Sequence, residues 1–171
     1  MLMLIQRNVN ILLRLVNQIL DFRKYENGMM EYTPVPVDIL SSFEGWNESF
    51  LAVVRKKHIH FSFDKLADTD YHTLADVEKL ERIYFNLLSN AFKFTPENGK
   101  VTVRLSPLTK EDGRWIRFTV ANTGSMISVE HIRNIFDRFY RTDTSRNSSK
   151  GGSGIGLSIV HKIMEDHGGK V

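Results

Sequence analysis

The run Gly151-Gly152-Ser153-Gly154-Ile155-Gly156-Leu157 has the residue types of an anion cradle. Glycines let backbone N–H groups close on an anion, and a helix opening at about Gly154 aims its positive end at the same point. That pairing suits phosphate. The run lacks the Gly-Lys-Ser/Thr ending of a P-loop, and residues 141–150 before it do not read as a strand, so a dinucleotide fingerprint is excluded too. A second set lies in Asn86-Leu87-Leu88-Ser89-Asn90-Ala91-Phe92-Lys93-Phe94. Asn86 and Asn90 share a helix face, with Lys93 one turn on. Two amide oxygens and an ammonium on one stripe can hold a hydrated Mg²⁺ and a phosphate. Each set alone has a plainer reading, since glycine loops are common and a polar helix stripe is ordinarily a solvated face.

The elements that must position these residues follow from periodicity. Asp76 caps a long helix through about Phe94, and Pro96, Asn98 and Gly99 supply its stop. Val101–Leu105 and Trp115–Val120 alternate and flank the turn Lys110-Glu111-Asp112-Gly113, which predicts a hairpin over 101–120. Asp38 caps a helix through about Lys57, His58–Phe63 alternates as a strand, and a short strand is expected around Tyr71–Leu74. Two prolines in Thr33-Pro34-Val35-Pro36 admit only an edge strand or a linker. A short helix is expected near 129–135, a mobile loop over 141–153, and a last helix from Gly154 to His167. Helices interspersed with an antiparallel hairpin predict an α/β two-layer sandwich, a mixed sheet covered on one face by helices.

One long helix precedes that fold. Ile5, Val9, Leu12, Val16 and Ile19 form a heptad seam over residues 2–24. The seam predicts packing in a dimeric bundle; the plainer alternative is a helix lying on its own domain. We place the boundary so that 1–27 is the bundle fragment and 28–171 the second domain. The chain begins inside a helical pattern and stops at Gly168-Gly169-Lys170-Val171, where a strand is expected to start. Further strands are therefore expected beyond it.

Composition narrows the class. Hydrophobic residues at 42% and charged residues at 25% exclude a disordered chain. A net charge of +3 is too small to argue for nucleic acid. The absence of cysteine excludes disulfides and thiolate metal sites and suits a reducing cytoplasm. No apolar run approaches the roughly 20 residues of a membrane span. His58 and His60 on one strand face could form half a metal site, but a surface pair is the plainer reading.

Taken together, these segments resemble the histidine-kinase branch of the ATPase superfamily shared with gyrase, the heat-shock chaperone ATPases and the mismatch-repair ATPases. The helix carrying Asn86, Asn90, Lys93, Phe94 and Thr95 resembles the asparagine box, and Asn122-Thr123-Gly124 the first glycine box. Ile135-Phe136-Asp137-Arg138-Phe139-Tyr140-Arg141 resembles the phenylalanine box, and Gly152 to Leu157 the second glycine box. Residues 1–27 resemble the second helix of a dimerisation and phosphoacceptor domain of hybrid two-component sensors. The resemblance implies that Asn90 with Asn86 coordinates Mg²⁺ bridging ATP phosphates. It implies that Lys93 contacts phosphate, that Phe94 and Ile127 line the pocket, and that Asn122 and Gly124 meet adenine. Arg141 would steady the γ-phosphate. Gly152, Ser153, Gly154, Ile155, Gly156 and Leu157 would surround the phosphates with backbone donors, and Phe136 and Phe139 would anchor the lid. The implied ligands are ATP and Mg²⁺. The implied partners are an acceptor-histidine helix of the chain's own dimer and a downstream response-regulator receiver domain, with no nucleic acid. The implied location is the cytoplasmic side of an inner-membrane sensor.

Three departures from the family pattern bear on function. Asn122 stands where an aspartate is usual, exchanging a charge-assisted hydrogen bond for a neutral one at a cost of about 1–2 kcal/mol. Met126 stands where a second glycine is usual, and its Cβ is expected to narrow the pocket. None of His58, His60, His72, His131, His161 and His167 lies in an acceptor context, so the nucleophile is expected on another helix. Besides the kinase, two alternatives stand: a degenerate signalling and dimerisation module, and an ATP hydrolase. The hydrolase needs a glutamate base where this chain has Asn86.

Overall fold

The computed structural model describes residues 31–124, 126–142 and 153–171. The heptad helix expected over 2–24, the boundary at 27/28 and most of the loop expected over 141–153 lie outside the described residues. Among the described residues, Thr33–Ser128 form one compact unit, and the stretch from Val129 onwards joins residues 31–32 in another.

In the first unit the elements run β1 (Val35–Asp38), α1 (Ile39–Asn47), a 3₁₀ turn (Glu48–Phe50), α2 (Leu51–Lys57), β2 (His60–Lys65), β3 (His72–Ala75), α3 (Val77–Phe94), β4 (Lys100–Lys110) and β5 (Gly113–Asn122). β2 pairs parallel with β4, and β4 pairs antiparallel with β5, giving a mixed three-stranded sheet. β1 and β3 form a separate antiparallel ribbon. Pro36 is tolerated there because a two-stranded ribbon leaves one edge of β1 without a ladder.

The sheet has one apolar side. Val101, Val103 and Leu105 alternate along β4 and are almost wholly buried, with Ile116, Phe118 and Val120 of β5 packed beside them. The other side carries polar residues, where Ser62 hydrogen-bonds Thr102 and Arg104 pairs with Asp64. Among the described residues of this unit, helices pack on the apolar side. In α3, Tyr84, Leu88, Ala91 and Phe92 recur at helical spacing and are buried in the same core. Tyr84 stacks on Phe118 with ring centroids 5.5 Å apart and meets Phe43 at 4.6 Å. Burial pushes its phenol well above the usual range, and its hydroxyl donates to Asn47 Oδ1. This is the expected two-layer sandwich.

Two expectations need correction. The helix expected from Asp38 to Lys57 is interrupted at Glu48–Phe50, where the tightened turn brings Phe50 into the core, its ring 5.1 Å from that of Phe92. The strand expected over 58–63 starts at His60. His58 instead takes a left-handed conformation (φ 50°), and Ile59 N–H returns to Val54 C=O at 3.0 Å, ending α2 in a Schellman reversal. His58 is therefore no strand partner of His60. Among the described residues no group of three or more His, Cys, Asp or Glu side chains gathers for a metal. None of the described helices is long and apolar enough to cross a membrane.

In the second unit, α4 (Val129–Ile132) is a single turn and α5 (Gly156–Asp166) is the main helix. α5 ends in another Schellman motif. Gly168 (φ 66°) returns its N–H to Glu165 C=O at 2.9 Å, and Gly169 N–H reaches Met164 C=O at 2.7 Å.

Two outcomes test these contacts. Leu88→Ala should lower unfolding free energy by about 3 kcal/mol in denaturant titration, while Thr119→Ala on the polar side of the sheet should stay within about 0.5 kcal/mol. The second concerns Asp70, which joins β3 to β5. The backbone N–H of His72, the His72 ring and Arg114 hold its carboxyl down at about 2 against an ordinary 3.8. The value is depressed on folding, so its stabilising effect is complete above the ordinary value and lost as pH falls through the lower one. The difference in thermal midpoint between the native chain and Asp70→Asn should be steady at neutral pH and shrink towards pH 2.

Candidate functional site

α3 presents its polar stripe near its C-terminal end. Its start is fixed by Asp76, which accepts from Lys79 N–H at 3.1 Å and Thr33 N–H at 3.1 Å. Its end is fixed by Thr95, fully buried, whose hydroxyl donates to Ala91 C=O at 2.6 Å. Between these caps lie Asn86, Asn90 and Lys93, all half-buried. Asn86 Nδ2 donates to Arg82 C=O at 2.8 Å, which turns its Oδ1 away from the backbone as an acceptor. A neutral amide oxygen so turned fits a ligand of Mg²⁺ or of its water shell, and it cannot serve as a general base. The Lys93 ammonium lies 4.7 Å from the ring centroid of Phe94, which is 38% exposed. A cation held on an exposed ring next to this stripe is suited to meet an anion.

The first glycine box meets the same helix end. β5 closes at Asn122, whose Nδ2 donates to Thr123 C=O at 3.1 Å and leaves Oδ1 as the amide's acceptor. Thr123 N–H donates to Lys100 C=O at 2.9 Å, and Thr123 Oγ1 accepts Lys100 N–H at 2.8 Å. Gly124 has φ 140°, and a Cβ there would stand 2.6 Å from Phe94 C=O. Gly99 is as tightly placed, since a Cβ would stand 2.5 Å from Thr95 Cγ2 and 2.8 Å from Thr123 Oγ1. The end of the asparagine stripe and the turn after β5 thus touch through backbone. Ile127 is half-exposed, and Met126 is 95% exposed.

The other two motifs meet within the second unit. Phe139, in a left-handed conformation (φ 61°), donates its N–H to Gly154 C=O at 3.1 Å. Gly154 (φ 73°) lies beneath the Phe139 and Tyr140 backbone, where a Cβ would come within 3.0 Å. Ile155 is buried and fixes the base of α5, with Ser158 donating to its carbonyl at 2.8 Å. Ile155 has no capping oxygen, and the first turn of α5 holds no acidic residue. The leading N–H groups around Gly156 and Leu157 are thus in a field that favours an anion. Ser153 Oγ accepts Ile155 N–H at 3.4 Å. Phe136 packs against His161 of α5 at 5.9 Å, whereas Phe139 is 60% exposed. Arg141 is half-buried. Gly152 lies outside the described residues.

The structure therefore pairs the motifs two by two, one pair in each unit. Sequence reading missed two residues of the first pair's frame. Gly99 read as part of the stop after α3, and Lys57 only as the approximate end of the helix capped by Asp38. Only the dense Pro96-Glu97-Asn98-Gly99 turn hinted that the chain doubles back there.

Comparison with known proteins bears on the family and the fold. Residues 75–171 match the model of a family described as histidine kinase-, DNA gyrase B- and HSP90-like ATPase. A curated relative, histidine kinase P4 of Formosa agariphila, is 33% identical over 173 residues, covering 99% of this chain. The chain spans only 12% of that relative's length. Among solved structures, the nucleotide-free catalytic domain of histidine kinase ThkA is similar with a TM-score of 0.65 and 31% identity, over 81% of this chain and 84% of that one. Full-length ShkA in complex with AMPPNP is similar with a TM-score of 0.78 and 32% identity, over 92% of this chain and 31% of that one.

The close approach at Gly124 is testable against an internal control. Gly113 has a similar φ of 133°, but a Cβ there would meet nothing within 4 Å, whereas a Cβ at Gly124 would face Phe94 C=O at 2.6 Å. Gly124→Ala should therefore destabilise the chain by about 1–3 kcal/mol more than Gly113→Ala, measured by thermal unfolding.

Proposed function

The chain belongs to the histidine kinase-, DNA gyrase B- and HSP90-like ATPase family, and from that premise we propose that it is the ATP-binding part of a two-component sensor histidine kinase. On this reading it passes the γ-phosphate of Mg·ATP to a histidine on a bundle helix. The observation that supports it most is the seating of Gly124 against the Phe94 carbonyl, where a Cβ would stand 2.6 Å away. Two motifs 30 residues apart in sequence thereby share one backbone contact beside an amide and ammonium stripe.

Each residue's part follows from its chemistry. Asn90 and Asn86 offer neutral amide oxygens for Mg²⁺. The bound metal supplies charge neutralisation between phosphate groups. Lys93 contacts phosphate, and Phe94 and Ile127 line the pocket. Asn122 accepts from the adenine amine through Oδ1, with Gly124 allowing close backbone approach. Arg141 neutralises charge on the phosphoryl oxygens. Gly152, Ser153, Gly154, Ile155, Gly156 and Leu157 surround the phosphates, the N–H groups at the start of α5 donating to them. Residues 1–27 serve as the second bundle helix of a homodimer, with residues 28–171 as the catalytic domain. The acceptor histidine belongs to the other bundle helix, and a receiver domain takes the phosphoryl group onward. The segment works on the cytoplasmic side of an inner-membrane sensor. Asn86 opposes the hydrolase alternative, because its amide has no basic site and its Nδ2 is committed to Arg82 C=O.

Calorimetry of the 171-residue chain with AMPPNP and Mg²⁺ should show binding tighter than millimolar. Labelled γ-phosphate should stay off this chain alone and appear on a bundle domain carrying an acceptor histidine when one is supplied. No binding at millimolar nucleotide would sink the kinase reading in favour of a degenerate signalling module.

A further inference from the structure

We propose that Lys57 is a positioning residue for the nucleotide site, holding the C-terminal turn of α3 from a distant helix; the inference rests on the nucleotide-binding reading above. Lys57 ends α2, and the Schellman reversal at His58 and Ile59 turns the chain away at once. Its ammonium donates to Phe92 C=O at 2.7 Å and to Thr95 C=O at 2.6 Å. Its own carbonyl accepts Asn98 N–H at 3.0 Å. One residue thus makes three hydrogen bonds to the stretch that closes α3 and leads to Gly99.

The physical need is specific to this place. The last carbonyls of a helix have no intrahelical donors, and an 18-residue helix carries roughly half a negative charge at that end. The polar stripe with Asn90 and Lys93 lies in the final turns of the same helix, so a phosphate there would be repelled by uncovered carbonyls. Lys57 supplies the donors and an opposing charge. From its clasp the effect passes by direct contact. Phe94 C=O, between the two bonded carbonyls in sequence, is the atom Gly124 is seated against. Gly99 is packed on Thr95 and on Thr123, which neighbours Asn122. Lys57 therefore acts through α3 on Lys93 and Phe94, and through Phe94 and Thr95 on the turn bearing Asn122 and Gly124. It touches no reacting atom.

The test compares two ways of weakening α3. Lys57→Met removes the ammonium and keeps the stem, while Asp76→Ala removes the cap at the other end, about 25 Å along the helix axis. Affinity for AMPPNP with Mg²⁺ is measured by calorimetry on the full 171-residue chain, with thermal midpoints alongside. Lys57→Met should lose about tenfold in affinity, Lys57→Arg should recover part of it, and Asp76→Ala should bind like the native chain at a comparably lowered midpoint. Amide exchange at Gly99 and Thr123 should quicken in Lys57→Met and not in Asp76→Ala. Equal losses in Lys57→Met and Asp76→Ala, or native affinity in Lys57→Met, overturn the positioning role and leave the nucleotide reading standing. Absence of binding in the native chain overturns both. Should Lys57→Met fail to fold, the native ammonium resonance decides. Slow proton exchange that slows further with Mg·AMPPNP supports the role, and exchange as fast as that of a surface lysine overturns it.

Discussion

An 18-residue helix with a continuous apolar side has to be covered, and in this chain the inner face of a three-stranded mixed sheet covers it. The contact between α3 and the sheet runs through Tyr84, Leu88 and Phe92 on one part and Val101, Val103, Leu105 and Phe118 on the other. Everything placed near the end of α3 inherits its position from that burial. Asn86, Asn90 and Lys93 lie on the same helix as the buried set, so the packing that removes Leu88 from water also fixes the direction in which the polar stripe points. The chemistry needs no scaffold of its own.

Rigid backbone contacts then carry that placement to the loops. Gly124 on Phe94 C=O and Gly154 beneath Phe139 and Tyr140 are both approaches that any side chain would prevent. The first joins a glycine-bearing turn to Phe94, which has a proposed role in the pocket, and the second joins one to Phe139, which has an expected role as a lid anchor. A loop pinned in this way keeps its N–H groups oriented without side-chain bonds, and that suits recognition by backbone.

What could be read from the sequence was what is encoded locally. Asp76 with a helical apolar period announced α3 to the residue, and the alternation on both sides of Lys110–Gly113 announced the β4–β5 hairpin. Both depend on neighbours within a few positions. The readings that changed depend on distant partners. Nothing local says that the turn at Glu48–Phe50 must tighten, because its reason is the ring of Phe92 more than 40 residues on. Nor does the run His58–Phe63 reveal that its first two residues are consumed in closing α2. For the site, the residue types were legible from their order along the chain, and the resemblance added their expected roles. Their meeting points were not, since the touch of Gly124 on a carbonyl and the reach of Lys57 across to α3 exist only after the chain has folded back. The long heptad seam was the strongest periodic signal of all, and it lies outside the described residues.

The parallel pairing of β2 with β4 has a consequence in time. A hairpin such as β4–β5 closes from adjacent residues within microseconds, but Ser62 and Thr102 are 40 residues apart, and β3 and α3 lie between them in the chain. Such a crossover pays its loop-closure entropy before any ladder bond rewards it. Loop-closure entropy therefore favours late entry of β2, and Lys57, three residues ahead of β2 in the chain, is tied to that entry. The clasp on the end of α3 and the sheet's parallel pairing thus share one closure, so that on the proposed reading the nucleotide site is completed together with the sheet.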